Sequence, residues 1–430
     1  MTMKKQLMQN FKKTMTAALA GISLVACGRM APELTLSAPS NTLPTAAVSR
    51  LNRASAARAQ YVPGQVIVSF KTRTHPTLLQ QFAQAHGLRL LKVSPMGEAL
   101  YQQLNPAMAT AQVMNSLKQD PYVQYAGPNP VYTNKFTVND PRSSEQKGLG
   151  IIGMGKAWDL SLGDPRVIIA VIDSGADLSH PDLRANLVSG YNVLSQGQTP
   201  PQDDNGHGTH ASGIAAAVGD NREGVSGTCP RCKLMPVKAL DAEGAGNAFD
   251  VAIGIVWAVD HGAQVINMSL GGPQSDPTLE RAVRYAFSRN VPVVVAAGNE
   301  STNELRYPAA IPGVISVGAV DNSRQLAGFS NFGSWVSVVA PGVQILSTMP
   351  QTSVYMTQNE GYQTQYDFMD GTSMAAPIVA GLVGLIRSRH PQLTPAQIKT
   401  RLEGTAIDLG APGFDEQFGN GMIDGPRALL

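Results

Sequence analysis

Val167-Ile168-Ile169-Ala170-Val171-Ile172, followed at once by Asp173-Ser174-Gly175, is a run of six apolar residues closed by a carboxylate in a turn. A strand that is apolar on both faces belongs inside a parallel sheet covered by helices on each side. Similar runs recur at Val265-Ile266-Asn267-Met268, Val291-Pro292-Val293-Val294-Val295 and Val314-Ile315-Ser316-Val317. Helical patterns alternate with them, at 249–261 and 278–289, so this part reads as a layered α/β domain with a mostly parallel sheet. Asp173 then falls at the carboxyl edge of that sheet, where open α/β folds gather their sites.

Two more segments share that chemistry: His207-Gly208-Thr209-His210 and Gly371-Thr372-Ser373-Met374-Ala375-Ala376-Pro377. A serine hydroxyl is a poor nucleophile until a histidine takes its proton and a buried carboxylate holds that histidine. The chain order Asp, His, Ser is neither that of the α/β-hydrolases nor that of chymotrypsin-like enzymes. With Ala296-Ala297-Gly298-Asn299 between the second and third segments, the chain resembles the subtilisin-like serine proteases (subtilases) of the thermitase-like kind, over residues 61–430. The resemblance implies Asp173, His207 and Ser373 as catalytic residues and His210 as a structural neighbour. It also implies an oxyanion hole made of the Asn299 side chain and the Ser373 backbone N–H, the latter an unpaired donor at a helix start.

With 430 residues, 43% hydrophobic and 15% charged, the chain can bury a full core and still hold more than one folding unit. Lys+Arg 33 against Asp+Glu 31 is nearly neutral, which argues against a nucleic-acid partner. Residues 1–27 read as an export signal: Lys4, Lys5, Lys12 and Lys13 precede an apolar run that ends Leu24-Val25-Ala26-Cys27. That ending looks like a bacterial lipobox with Cys27 as the lipidated residue; the alternative is an ordinary cleaved signal. Either reading places the protein outside the cytoplasm or in the cell envelope, touching a membrane only through that lipid.

Residues 28–60 are rich in Ala, Ser, Pro and Thr and cannot bury a core, so they read as a disordered tether. Residues 61–132 give a βαββαβ order, the layout of a small α+β ferredoxin-like domain. It resembles the subtilase propeptide, a folding template and inhibitor. Residues 133–430 then form the subtilisin-like three-layer catalytic domain. The expected protein is a self-processing zymogen, cut between about Tyr132 and Asp140, with a monomeric endopeptidase as product.

By the same resemblance, Ser269-Leu270-Gly271 and Gly244-Ala245-Gly246 bind a substrate peptide as an added strand, and no organic cofactor is implied. Arg306 falls where the family lines the base of its first specificity pocket. Pointing inward, it favours acidic residues before the cleaved bond; paired with Glu300 or Glu304, it does not. Asp140, Asp182 and Asn221, with the carbonyls of Val218 and Val225, match the places that hold a calcium ion in thermitase-like subtilases. Cys229-Pro230-Arg231-Cys232 has no second pair to complete a zinc site, and outside the cytoplasm it reads as a structural disulfide.

Overall fold

The computed structural model describes residues 61–72, 74–130 and 137–430. The proposed signal with Cys27, the tether and most of the expected cleavage window lie outside the described residues. The chain divides into two compact units, at Tyr132 and Thr133.

In the first unit, β1 (Tyr61–Phe70), α1 (Pro76–Ala85), β2 (Leu88–Val93), β3 (Ala99–Gln103), α2 (Thr110–Leu117) and β4 (Val123–Pro130) follow one another. The sheet runs β2-β3-β1-β4, with every pair antiparallel. Alternate residues of β1, Val66 and Val68, point into a core with Leu79, Tyr101 and Leu117, and this period of two is what made the strand readable. The sequence pattern ends the last strand near Ala126, whereas β4 continues through Gly127-Pro128-Asn129-Pro130. It lies at the sheet edge, where prolines cost no ladder bond.

The second unit holds β5 (Ile168–Asp173), β6 (Tyr191–Asn192), α3 (His207–Ala216), β7 (Lys233–Lys238), α4 (Ala248–Asp260), β8 (Val265–Met268), α5 (Pro277–Ser288), β9 (Val293–Ala296), β10 (Ile315–Val320) and β11 (Val338–Pro341). A hairpin of β12 (Ile345–Thr348) and β13 (Tyr366–Met369) precedes α6 (Thr372–Arg389) and α7 (Pro395–Thr405). The sheet order is β11-β10-β9-β8-β5-β7-β6, and each of its pairs is parallel. One face buries α3 and α6 with Ile169, Val171, Val294 and Val317; the other buries α4 and α5 with Ala170, Ile172, Ile266 and Val293. Both faces being covered explains why the central strands are mostly apolar.

That sheet positions the candidate site. Asp173 ends β5, Ser269 follows β8 directly, and Asn299 stands three residues beyond β9. Three neighbouring parallel strands therefore deliver three candidate residues to one edge.

Candidate active site

Asp173 is fully buried, and its Oδ1 accepts from the Ser174 N–H and from His207 Nδ1, both at 2.8 Å. That contact leaves His207 Nε2 as the nitrogen free to take a proton. The His207 side chain is 19% exposed, enough to meet a substrate. Burial pulls the imidazole pKa down, but the charge and hydrogen bond of Asp173 outweigh it and the pKa ends above its ordinary value. His210, three residues on, differs: its Nε2 bonds the Asp367 carbonyl at 3.0 Å, and burial pushes its pKa down to about 3. It is a neutral packing group.

Why His207 opens its helix where it does follows from Asp203, buried on the loop before α3. Its Oδ1 accepts from Ser174 Oγ (2.9 Å) and the N–H groups of Asn205 (3.0 Å) and Gly206 (2.9 Å). Its Oδ2 accepts from the N–H (2.9 Å) and Oγ1 (2.5 Å) of Thr209. One carboxylate thus takes the Thr209 N–H of the helix start, beside Asn205 Oδ1 and Ser174 Oγ, which take those of His207 and Gly208, and it ties that start to the turn after Asp173. Gly208 completes the fit: an added Cβ there would stand 2.2 Å from the Gly175 carbonyl oxygen. Asp203 has no motif around it, and sequence reading missed it.

Ser373 lies in the first turn of α6. Its Oγ donates to the Ser269 carbonyl at 3.2 Å rather than to His207, while Ser269 Oγ donates to the Ser373 carbonyl at 2.8 Å. The second bond has a cause in the sequence. Pro377, four residues on, has no N–H to give the Ser373 carbonyl, so Ser269 supplies the missing donor. Asn299 Oδ1 accepts from the N–H and the Oγ1 of Thr372, both at 2.9 Å. With its oxygen held, Nδ2 faces the other way: a Cβ placed on Gly371 would stand 3.5 Å from both Asn299 Nδ2 and the Ser373 nitrogen. The two expected oxyanion donors thus belong to residues that border one small cavity. Thr372 was not foreseen in that role.

Two cavities meet here. One of 160 Å³ is lined by Ser373, Asn299, Ser269, Leu270, Gly271 and Arg306. The other, of 540 Å³, is bordered by His207 and includes Gly244, Ala245 and Gly246 together with Ser269–Gly271. Arg306 Nε stands 3.3 Å from Glu300 Oε2, an ion-pair distance without hydrogen-bond alignment. The structure therefore places Arg306 beside one of the two carboxylates that the sequence offered as partners.

A sequence model of the subtilase family matches residues 164–421, and one of the fervidolysin N-terminal prodomain matches residues 49–129. The chain belongs to the subtilase family. It is a subtilisin-like serine endopeptidase carrying an N-terminal prodomain. The thermophilic serine proteinase of Bacillus sp. (strain AK1) is 38% identical, over 86% of this chain and 89% of that protein. Thermitase of Thermoactinomyces vulgaris is 40% identical, over 65% of this chain and 94% of its own. The crystal structure of fervidolysin from Fervidobacterium pennivorans, a keratinolytic enzyme related to subtilisin, aligns with a TM-score of 0.62 at 31% identity, covering 86% of this chain and 61% of that one.

The remaining residues expected from the subtilase resemblance lie elsewhere in the second unit. Asp140 and Asp182 are buried carboxylates, and neither has an ion-pair partner among the described residues. Asp140 accepts from the N–H groups of Asp220 and Asn221, and Asp182 from the Asn221 amide and the Val225 N–H. Burial first, then the charge of Asp140, pushes the Asp182 pKa up to about 6. Among the described residues no three acidic, histidine or cysteine side chains cluster as a metal site. The expected set has two carboxylates, one amide and carbonyls. Two buried carboxylates without an ion-pair partner among the described residues are the hard oxygen donors that a divalent ion takes. Cys229 and Cys232, both buried, have their sulfurs 2.05 Å apart.

Proposed function

We propose that the chain is exported and hydrolyses peptide bonds in proteins through an acyl-enzyme, with Ser373 as nucleophile, His207 as general base and acid, and Asp173 as its orienting carboxylate. The observation that carries this is the bond from His207 Nδ1 to buried Asp173 Oδ1, which fixes the tautomer and stabilises the imidazolium formed on attack. Substrate binding draws the Ser373 hydroxyl from the Ser269 carbonyl toward His207 Nε2, since catalytic hydrogen bonds tighten in the complex. The Asn299 amide and the Ser373 N–H then receive the developing oxyanion. Ser269–Gly271 and Gly244–Gly246 hold the peptide as an added strand. Arg306, offset by Glu300, leaves the first pocket without a charge preference.

The same proposal makes residues 61–132 a propeptide that templates folding and stays bound as inhibitor after self-cleavage between Tyr132 and Asp140. Cys27 is then the lipid-bearing residue of an envelope-tethered precursor. Asp140, Asp182, Asn221 and the carbonyls of Val218 and Val225 would hold calcium, whose chemistry here is structural: it neutralises two buried carboxylates and joins the chain near Asp140 to the loop 218–225. Cys229–Cys232 serves as a structural disulfide.

The test is the intact mass of the exported product from wild type and from Ser373→Ala. Wild type should yield a fragment beginning between Tyr132 and Asp140, while the variant keeps its N-terminal region. Equal masses, with residues 61–132 attached in both, would refute self-processing by Ser373.

A further inference from the structure

The hairpin between β12 and β13 carries a long excursion, residues 349–365, whose placement bears on which peptides are cut. Its neck is closed by the Met349 N–H donating to the Gln365 carbonyl (2.7 Å) and the Gln365 N–H donating to the Pro350 carbonyl (3.1 Å). Its far end, the helical turn Tyr355–Asn359, docks on the loop before His207. There the Tyr355 N–H donates to the Asp204 carbonyl and the Met356 N–H to the Asn205 carbonyl, both at 3.0 Å. Gly206, at φ 120°, makes room for it: an added Cβ would stand 3.1–3.5 Å from Met349, Val354 and Met356. Val354 and Met356 are themselves buried. The excursion is thus built into the shoulder of the general base.

From that position Met356 and Glu360 line the 540 Å³ cleft together with His207 and Leu240. Glu243, on the loop before Gly244, lines it too, and among the described residues no lysine or arginine does. Neither carboxylate has an ion-pair partner among the described residues. A peptide added as a strand along Ser269–Gly271 sends successive side chains to opposite faces. When the residue before the cleaved bond enters the pocket beside Ser373 and Arg306, the second residue turns toward His207, Leu240, Met356 and Glu360.

We propose that Glu360 is a specificity-determining residue that selects lysine or arginine as the second residue on the acyl side of the cleaved bond. A long basic side chain lays its methylenes along Leu240 and Met356 and brings its charge to the carboxylate. Alanine lacks both contacts, and glutamate is repelled by Glu360 and Glu243 together. A partly exposed pair of this kind is worth about two- to fivefold over alanine. With the repulsion counted as a term of similar size, lysine exceeds glutamate by roughly four- to twenty-five-fold. This inference rests on the assignment of Ser373 and His207 above.

Peptides identical except for Lys, Ala or Glu at that position test it, with kcat/KM measured for wild type, E360Q and E360K. Rates are normalised to Ser373 sites titrated with a fluorophosphonate, so an unfolded fraction of either variant does not enter. The order Lys > Ala > Glu is expected in wild type, shrinking with added salt, flattened in E360Q and reversed in E360K. A wild-type ratio near one, or a ratio unmoved by both substitutions, overturns the inference and leaves the titratable nucleophile standing. Absence of titratable Ser373 together with absence of cleavage overturns the catalytic assignment and this inference with it.

Discussion

Thr372→Val isolates the feature that holds the Asn299 amide ready for an oxyanion. Thr372 Oγ1 donates to Asn299 Oδ1 at 2.9 Å and accepts from the Gly298 N–H at 3.0 Å, while its own N–H donates to the same Oδ1 at 2.9 Å. Valine keeps the shape and the N–H but removes the hydroxyl, so Asn299 keeps one of two ties and the Gly298 N–H loses its acceptor. Leaving such a donor unpaired costs stability of about 1–3 kcal/mol. The catalytic ceiling is the worth of the amide itself, about 2.7–4 kcal/mol, a range measured on subtilisin rather than worked out from this structure. With half of the anchoring left, a loss of about 1–2 kcal/mol is expected, or roughly five- to thirtyfold in kcat. KM should hardly move, because the oxyanion exists only on the way to the acyl-enzyme. The assay is kcat and KM per titrated site for wild type, T372S, T372V and N299A. Serine restores the hydroxyl and should stay within about threefold of wild type. A T372V enzyme with wild-type kcat, beside an N299A enzyme that has lost most of its own, would refute the claim that Oγ1 holds the amide.

The pH dependence follows from His207, whose pKa lies above the ordinary 6.5 because Asp173 outweighs the effect of burial. Only neutral imidazole can act as base, so kcat/KM should fall as pH drops, with its acid limb centred above 6.5; a limb at or below that value would contradict the geometry. Stability moves the other way: this group's contribution is full below the unfolded-state value and fades as pH rises through the folded one. For calcium, the melting temperature of Ser373→Ala, which cannot digest itself, should fall on chelation and recover with calcium but not magnesium. Calcium at a hundred times its dissociation constant should contribute about 2.7 kcal/mol, and Asp182→Asn should abolish the response. A melting curve indifferent to chelator would remove the site.

Much of the fold was legible because burial on both faces leaves a mark in the letters. Strands β5, β8, β9 and β10 are predominantly apolar runs, and the sequence placed each within three residues of its observed bounds. Strand β7, Lys233–Lys238, pairs directly with β5 yet went unread, since Pro236 and two lysines disguise it. Its Lys238 is buried and donates to the carbonyls of Ser174 and Leu240 and to Asp204, which makes a charged letter an interior residue. The hairpin of β12 and β13 was equally hidden: Ile-Leu-Ser-Thr and Tyr-Asp-Phe-Met mix apolar and polar residues over four positions, giving neither an apolar run nor a sustained alternation.

The active site divides along the same line, between groups that act by what they are and groups that act by where the backbone puts them. Asp173, His207, Ser373 and Asn299 announce themselves because each sits in a recognisable motif. Asp203 stands in loop sequence without a motif, Thr372 inside the Ser373 motif and Ser269 in the expected substrate-binding stretch, and the structural importance of each lies in which donor or acceptor it completes. Pro377 shows the limit most sharply. As a letter it is only the end of Gly-Thr-Ser-Met-Ala-Ala-Pro, and within an α-helix it reads as a defect. In the fold it leaves the Ser373 carbonyl open, and the Ser269 hydroxyl fills that vacancy at 2.8 Å. The reciprocal bond from Ser373 Oγ to the Ser269 carbonyl then holds the proposed nucleophile against the strand proposed to bind the substrate. A missing N–H thus joins the helix of Ser373 to the edge of the sheet at Ser269, a relation between residues 269, 373 and 377 that no linear spacing displays.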